Sequence, residues 1–313
     1  MEHSHGAAPA ILEQKKIGIT FAYCLIFIFS LAGNTVIGII VYKTKTMRKP
    51  INFFIVNMAM SDLLFRIFLI PLEIQTLYKD SWLIGGPFGQ VLCKLVAFLT
   101  EVSSTVSFQS LVLIAVDRFG AVVFPLRSPL ISSNLCLFII LATWIVAIAV
   151  YSPVLFVCKV VEHPEKLVCQ QNWNELFGES SSHENYFVSC IVVFTFIPLV
   201  LITILYVTIL LKLKSQRIPG EQSANAGQQR QQRERNLLKM AIAIVLGFTL
   251  CWLPFTILLC ILLFTDTIIC PNCVDLYFVY VVRLMAIANC AINPCICLIF
   301  SRNYRNGLKA LFR

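Results

Sequence analysis

The stretch Ile17–Val41 reads IGITFAYCLIFIFSLAGNTVIGIIV and contains no charged side chain. About 20 consecutive, mostly apolar residues are enough for a helix to cross the hydrocarbon core of a bilayer. The whole chain is similar in character, since 58% of its 313 residues are hydrophobic, 13% are charged and its mean hydropathy is +0.81. A soluble domain carries about 25% charged residues. The sequence therefore predicts a membrane protein.

Further apolar blocks of sufficient length follow the first, and together they predict an all-α membrane protein, a bundle of seven transmembrane helices. The predicted helices 1 to 7 are Ile17–Val41, Phe53–Leu77, Val91–Phe124, Leu135–Val157, Tyr186–Leu211, Leu237–Phe264 and Leu276–Phe300. We predict three regions, which are an extracellular N-terminus (1–16), the seven-helix domain (17–300) and a cytoplasmic tail (301–313). In the tail, Asn303–Phe312 alternates basic and apolar residues at helical spacing, which predicts an amphipathic helix 8 on the inner membrane surface.

Basic residues indicate the orientation of the bundle, because cytoplasmic loops of membrane proteins are enriched in Lys and Arg. Most of the 25 basic residues lie between helices 1 and 2, between helices 5 and 6, at the inner end of helix 3 and in the tail. The N-terminus is therefore expected outside and the C-terminus inside, as in a multi-pass protein of the plasma membrane. The net charge of +9 flanks apolar blocks instead of forming one patch, which argues against a nucleic-acid partner.

Polar residues inside the predicted helices are functional candidates, because such side chains are costly in hydrocarbon. Hydrogen bonds that join helices are the alternative explanation. Ser107 lies about 16 Å outward of Arg118 at 1.5 Å per residue, and Asp62 lies at a similar depth in helix 2. Asn289 and Asn293, one turn apart on helix 7, can meet them at mid-membrane. One carboxylate with three neutral oxygen donors suits a small hard cation or a proton.

Several short motifs occur in order along the helices. They are Gly33-Asn34 in helix 1, NMAMSD (Asn57–Asp62) in helix 2, Asp117-Arg118-Phe119 at the end of helix 3, Trp144 in helix 4, Pro198 and Tyr206 in helix 5, FTLCWLP (Phe248–Pro254) in helix 6 and Asn289–Pro294 in helix 7. A single Trp or Pro means little, but this order and spacing are specific. Over nearly its whole length the chain resembles the rhodopsin-like G-protein-coupled receptors, and among them it is most similar to neuropeptide receptors.

This resemblance implies roles for four sets of residues. G-protein coupling and switching would involve Asp117, Arg118, Glu234, Tyr206, Asn293 and Pro294, and the switch in helix 6 would involve Phe108, Pro198, Phe248 and Trp252. A sodium ion would be held by Asp62, Ser107, Asn289 and Asn293. A disulfide bond between Cys93 and Cys169 would tie the second outer loop to helix 3. Outward movement of helix 6 would activate a heterotrimeric G protein, and arrestin, receptor kinases and membrane lipid would be further partners.

The chain departs from the family pattern in helix 7. The family's motif ends in Tyr, whereas Asn293–Cys297 ends in Cys, so the hydroxyl that would bridge to Tyr206 in the active state is missing. Phe119 also replaces the commoner Tyr of the helix 3 triplet. The role of Glu234 has an alternative explanation too, because the charge-rich stretch Gln228–Arg235 is also typical of a solvated helix face.

The outer halves of the helices indicate the ligand class. Amine receptors of this family carry Asp where Thr100 stands, and the acidic loop between helices 4 and 5 would attract a basic peptide, although it could be only soluble surface. Glu73, Glu101, Arg66 and Arg283 sum to zero charge, so they either satisfy one another or bind the charged end of a peptide. We expect Glu73, Thr100, Glu101 and Arg283 to bind a neuropeptide with a basic or amidated terminus. The alternative is a non-peptide small molecule.

Three other protein classes are disfavoured. An opsin needs a Lys in the middle of helix 7, and Leu276–Phe300 contains none. An intramembrane enzyme needs a nucleophile–base or metal set, and no His lies in an apolar block, so we expect neither catalysis nor a cofactor other than an allosteric sodium ion. A channel or transporter needs a continuous polar pathway or a repeat.

Three side-chain positions are specific to this chain. Arg66 lies one turn outward of Asp62, so its guanidinium either neutralises that carboxylate in place of sodium or points to Glu73 or Glu101. Glu101 neighbours the inward stripe of helix 3 without belonging to it, which predicts that it faces helices 4 and 5. Cys270 and Cys273 either form a short disulfide or remain free thiols.

Overall fold

A computed structural model describes residues 7–79, 81–124, 130–164, 166–178, 182–215, 225–264 and 276–312. Within these residues, seven helical segments are long and apolar enough to cross a membrane, judged by length and composition. We number them span 1 to span 7, in the order of the predicted helices. The protein is therefore the predicted all-α bundle of seven helices.

The spans differ in how continuous their helices are. Span 1 is Ala7–Lys43, span 2 is Pro50–Tyr78, span 3 is Gly86–Val123, span 4 joins Ser133–Tyr151 to Val154–Val157, span 5 joins Ser182–Ile191 through the π-helical turn Val192–Phe196 to Ile197–Ser215, span 6 is Asn225–Phe264 and span 7 is Leu276–Phe300. Span 1 begins before the predicted start at Ile17, and span 6 before Leu237. Hydropathy identifies only the apolar part of a helix. The backbone hydrogen bonds of the helix continue through the polar turns at its ends.

Shorter elements lie outside the spans. A 3₁₀ turn, Lys45–Met47, follows span 1, and the helix Arg302–Leu311 follows span 7 close to the predicted helix 8. Between spans 4 and 5, β1 (Cys158–Glu162) and β2 (Leu167–Gln171) pair antiparallel and precede the short helix Asn174–Phe177.

Spans 2, 4, 5, 6 and 7 each contain an internal proline. Pro71, Pro254 and Pro294 lie inside continuous helices, Pro153 lies at the break in span 4, and Pro198 follows the π-helical turn of span 5. Proline lacks an N–H group and its ring clashes with the carbonyl one turn earlier. These are therefore the positions where the spans can bend.

Span 3 is the central helix, and it packs against spans 2, 4, 5 and 6. The main core cluster includes fully buried Phe54, Leu111 and Phe248. Other large apolar side chains face outward, and Phe138 and Leu250 are each more than half exposed. This outward apolar surface is what a helix bundle presents to lipid.

Two glycines let helices approach closely. A Cβ atom on Gly33 would lie 2.7 Å from the Cβ atom of Pro294, so this glycine allows spans 1 and 7 to meet. A Cβ atom on Gly307 would lie 2.4 Å from Cγ2 of Ile40, so the helix Arg302–Leu311 can dock on span 1. Both contacts are too short for any residue with a side chain unless the backbone moves.

The helix Arg302–Leu311 is also held by a polar contact. Tyr304 is fully buried, and its hydroxyl donates a hydrogen bond to Oδ1 of Asn52 at 3.1 Å. Burial raises the pKa of Tyr304 well above its ordinary value, so the hydroxyl remains a donor at neutral pH. The predicted amphipathic helix is thus packed against the inner ends of spans 1 and 2.

Candidate functional site

The outer hairpin of β1 and β2 is fastened to the outer end of span 3. Cys169 lies opposite Val160 in the hairpin and forms a disulfide bond with Cys93, as the family resemblance implied. Gln90, one turn before Cys93, accepts a hydrogen bond from the Val160 N–H at 2.8 Å and donates one to the Cys158 carbonyl at 2.9 Å. A single Gln at a helix start carries no sequence pattern, so only the structure identifies it as a second fastening.

The remaining outer cysteines differ from this pair. Cys158 is a buried free thiol, and burial raises its pKa to about 11. It therefore stays protonated at neutral pH and is a poor nucleophile toward the neighbouring disulfide bond. Cys270 and Cys273 lie outside the described residues.

A cavity of about 270 Å³ lies between the outer halves of the spans. Its polar lining residues are Arg66, Glu73, Thr100, Glu101, Ser104, Thr105, Thr195, Thr256 and Arg283, and its aromatic lining residues are Phe108, Tyr151, Phe187, Phe194, Trp252 and Phe255. All four of the predicted ligand-binding residues are therefore brought to one cavity. Tyr151 and Phe187 were not predicted, because an aromatic residue in an apolar block has the same pattern as a core residue.

Two of the four charged residues in the cavity form an ion pair, although Oε2 of Glu73 has no hydrogen-bond partner among the described residues. Nη1 of Arg283 lies 3.5 Å from Oε2 of Glu73, which joins span 7 to span 2. Arg66 is buried on the same span as Glu73 and lines the same cavity. This side of the cavity therefore contains one anion and two cations.

Glu101 faces the opposite side of the cavity, as the sequence predicted. Thr105, one turn inward of Glu101 on span 3, donates a hydrogen bond to the Tyr151 hydroxyl of span 4 at 3.1 Å. Thr100, the preceding residue, lines the cavity and donates its hydroxyl to the Val96 carbonyl at 2.6 Å. The cavity thus separates its charges into two sides.

Aromatic rings form the floor of the cavity. The ring centroids of Phe108 and Phe248 lie 4.2 Å apart, and Phe248 stacks on Trp252 at 5.9 Å. Phe108 and Trp252 also line the cavity, so an occupant can touch the same rings that pack span 3 against span 6. Leu199 lines a small neighbouring cavity together with Phe108 and Trp252. The predicted switch residue Pro198 is the residue before Leu199 in the sequence.

A polar cluster lies deeper, between spans 2, 3 and 7. The carboxylate of Asp62 accepts hydrogen bonds from Nδ2 of Asn293 at 3.2 Å and from the hydroxyl of Ser107 at 3.4 Å. Ser61 shares a hydrogen bond of 2.7 Å with Ser107. Asn289 is buried one turn from Asn293, and the Oδ1 atoms of both are buried with no hydrogen-bond partner in the described part of the chain.

These oxygen atoms fit the predicted cation site. A carboxylate and two orphaned amide oxygens are hard ligands of the kind that small cations prefer. Arg66 lies one turn outward of Asp62 and acts on its carboxylate electrostatically, but both hydrogen bonds to that carboxylate come from Ser107 and Asn293. Among the described residues, the hydrogen bonds to this carboxylate therefore come from neutral side chains, and its binding of a cation stays a prediction.

The inner end of span 3 carries a closed ion pair. Arg118 is buried, and its Nε and Nη2 atoms both donate to Oδ2 of Asp117. Tyr206 is buried within electrostatic range of Arg118, and its hydroxyl has no hydrogen-bond partner among the described residues. Glu234 lies in span 6, but its side chain is outside the described part of the chain, so its proposed contact with Arg118 stays a prediction.

A second polar link holds spans 2, 3 and 4 together near the inner side. Nε1 of Trp144 donates to Oδ1 of Asn57 at 2.8 Å, and Nδ2 of Asn57 donates to the hydroxyl of Ser110 at 3.0 Å. In span 1, Asn34 donates to the Cys290 carbonyl of span 7 at 3.0 Å. These motif residues join helices through hydrogen bonds, which was the alternative explanation for intramembrane polar groups.

Comparison with known protein families gives one match over most of the chain. The sequence model described as "7 transmembrane receptor (rhodopsin family)" matches residues 33–296. That range includes every motif from helix 1 to helix 7.

Individual relatives are also similar over nearly the whole chain. The RYamide receptor of Drosophila melanogaster is 32% identical over 95% of this chain and 63% of its own length. The QRFP-like peptide receptor of Branchiostoma floridae is 31% identical over 96% of this chain and 78% of its own. Neuropeptide FF receptor 1 of Homo sapiens is 32% identical over 93% of this chain and 69% of its own. The chain thus spans less than two thirds of the fly protein.

Proposed function

The chain belongs to the rhodopsin family of seven-transmembrane receptors, and on that premise we propose that its extracellular ligand is a peptide and its intracellular partner a heterotrimeric G protein. The observation that carries this proposal is the arrangement along span 3. One rigid helix lines the outer cavity with Thr100 and Glu101, packs on the aromatic floor through Phe108 and ends at the Asp117–Arg118 pair.

The ligand is proposed to be a peptide with a basic or amidated terminus. A cavity of about 270 Å³ is close to the lower end of the roughly 300–1,000 Å³ range of small-molecule sites, so it would take the end of a peptide. Its charged lining provides partners for a charged or hydrogen-bonding terminus. The relatives reported above are named as receptors of peptides, which does not favour the alternative of a non-peptide ligand.

Activation would begin at the aromatic floor. A ligand that contacts Trp252 and Phe108 changes their packing against Phe248, and Pro254, two residues outward of Trp252, allows span 6 to bend there. Outward movement of the inner half of span 6 would open the bundle beside Arg118. The ligand favours this open conformation only to the extent that it binds that conformation more tightly.

A sodium ion is proposed as an allosteric ligand of the polar cluster. Asp62, Ser107, Asn289 and Asn293 would hold the ion, which would supply a positive charge to the buried carboxylate when bound. By joining spans 2, 3 and 7, these residues stabilise the closed bundle. The amide oxygens of Asn289 and Asn293 support the proposal because they are buried without a partner.

The remaining partners follow from the family and are proposals for this chain. The protein is a multi-pass membrane protein, and we propose the plasma membrane as its location. Arrestin and receptor kinases would bind the inner face after activation, and lipid would contact the amphipathic helix Arg302–Leu311. The family consists of receptors, so no catalytic reaction is proposed.

The test is a screen in cells that carry a G-protein dissociation sensor. The full chain is exposed to short peptides with amidated or free C-termini and, in parallel, to non-peptide amines, nucleotides and lipids. We expect activation by amidated basic peptides, and loss of the signal but not of surface binding in Arg118→Ala. Activation by non-peptide compounds alone would contradict the proposal.

A further inference from the structure

The four charged side chains in the outer cavity do not form one network. Glu73 and Arg283 are paired at 3.5 Å between spans 2 and 7, and Arg66 extends from the same helix as Glu73. Glu101 lines the cavity from span 3, one turn outward of Thr105, whose hydroxyl donates to Tyr151 of span 4. One side of the cavity therefore has two cations and one anion, and the other side has a single anion.

The Glu101 carboxylate has no hydrogen-bond donor or ion-pair partner among the residues that the structure describes. The nearby hydroxyls donate elsewhere: Thr100 and Ser104 to backbone carbonyls of span 3, and Thr105 to the Tyr151 hydroxyl at 3.1 Å. A carboxylate that is partly removed from water without a partner is unfavourable. Because Glu101 lines the cavity, a cation that enters the cavity can reach it.

Aromatic side chains line the same cavity, and Tyr151 contacts Thr105, which lies one helical turn from Glu101 on span 3. Tyr151, Phe187 and Phe194 all line it, and the rings of Tyr151 and Phe194 lie 6.3 Å apart. A guanidinium is planar, binds a carboxylate through two parallel hydrogen bonds and stacks on aromatic faces. An ammonium ion is more strongly hydrated and has no planar face. The chemistry of this side therefore suits a guanidinium group.

We propose that Glu101, together with Tyr151, Phe187 and Phe194, forms a subsite for a guanidinium group of the ligand. The source of this group rests on the proposed function. If the ligand is a peptide, the guanidinium belongs to one of its arginine side chains. The subsite determines ligand specificity, because it offers an unpaired anion in a cavity whose other anion is already paired with Arg283.

The subsite is tested with two compounds of the same shape and different charge. Phenethylguanidine is cationic and phenethylurea is neutral, and each is titrated against the purified full chain in lipid nanodiscs while its thermal melting is followed. We expect the wild type to bind the guanidine at least about tenfold more tightly than the urea. In Glu101→Gln the two affinities become equal within about twofold, since the anion is gone.

Two controls separate the subsite from general effects of charge. Glu101→Asp keeps the carboxylate and should keep a reduced preference for the guanidine. Glu162→Gln, which removes an exposed carboxylate from β1, should keep the full preference. Without either compound, Glu101→Gln should melt no lower than the wild type, because the substitution removes an unpaired charge.

Two results would overturn the subsite. The first is an equal response of the wild type to the two compounds, including no response to either. The second is a preference for the guanidine that persists in Glu101→Gln.

Any amidated peptide that activates the receptor allows a second test. Each of its arginines is replaced by citrulline, which has nearly the same shape and no charge. One replacement should weaken binding to the wild type about tenfold or more and have little effect on Glu101→Gln, because the interaction is already absent there. If no peptide activates the receptor, the proposed function fails, whereas the guanidine and urea comparison still decides the subsite.

Discussion

Span 3 carries one carboxylate in its outer half and another near its inner end, and the two have opposite surroundings. Asp117, near the inner end, accepts two hydrogen bonds from Arg118, so its charge is neutralised by the next residue in the sequence. Glu101, in the outer half, lines an open cavity and has no partner among the described residues. Under the proposed function, activation would break a contact at the inner end, whereas ligand binding would add one in the outer half.

Of the changes considered, removal of the outer disulfide bond should have the largest effect on surface expression and ligand binding. Cys93→Ser or Cys169→Ser releases the hairpin from the outer end of span 3, and loss of a native disulfide bond typically costs about 2–5 kcal/mol. We expect surface expression or ligand binding to be abolished, which flow cytometry and radioligand binding would measure. Normal binding in both variants would show that Gln90 alone is sufficient to hold the hairpin.

Opening the inner pair should raise activity without ligand. Asp117→Asn removes the charge that Arg118 contacts, so the closed conformation loses a charge-assisted interaction and the active fraction increases. We expect basal G-protein signalling to rise about three- to tenfold at matched surface expression, in line with about 1 kcal/mol or slightly more. Unchanged basal signalling would mean that this pair does not restrain the receptor.

The companion variant Glu234→Ala tests the second predicted partner of Arg118. If Glu234 holds span 6 against Arg118, basal signalling should also rise in this variant. The matched control is Gln232→Ala, an exposed neighbour on the same helix. Equal basal signalling in the two variants would favour a solvated helix face at Glu234.

Sodium should act between the two ends of span 3, and its effect on agonist affinity should be moderate. We expect sodium to lower agonist affinity severalfold relative to a large organic cation at equal ionic strength, and Asp62→Asn to abolish the difference. Arg66→Leu should increase the sodium effect, because it removes a positive charge near the carboxylate. The opposite pattern, an effect that appears only in Arg66→Leu, would mean that Arg66 replaces the ion.

Gln90→Ala should have the smallest effect. The substitution removes two hydrogen bonds to the hairpin, worth about 0.5–1.5 kcal/mol each, while the disulfide bond remains. We expect agonist affinity to fall a few fold with little change in surface expression, as measured by competition binding. A loss as large as that in Cys93→Ser would mean that the hydrogen bonds, not the disulfide bond, position the hairpin.

The family motifs and the spans could be predicted, because their signals are local in sequence. The pairing of Glu73 with Arg283 could not, since four charges that sum to zero allow several networks. The position of Glu101 was partly accessible, because helical periodicity placed it beside the inward stripe of span 3. Its aromatic neighbours Tyr151 and Phe187 lie on other spans, and no spacing within one helix relates them to it.

The sequence by itself determined that the chain forms seven membrane-spanning helices, and the reason is local. In hydrocarbon every backbone N–H and C=O must be satisfied within the segment, so an apolar stretch of about 20 residues becomes a helix whatever its neighbours are. Only the tertiary structure decided which charges are paired and which line the cavity without a partner among the described residues. That outcome depends on the rotation and approach of whole helices, which contacts such as Gly33 against Pro294 determine over long distances in sequence.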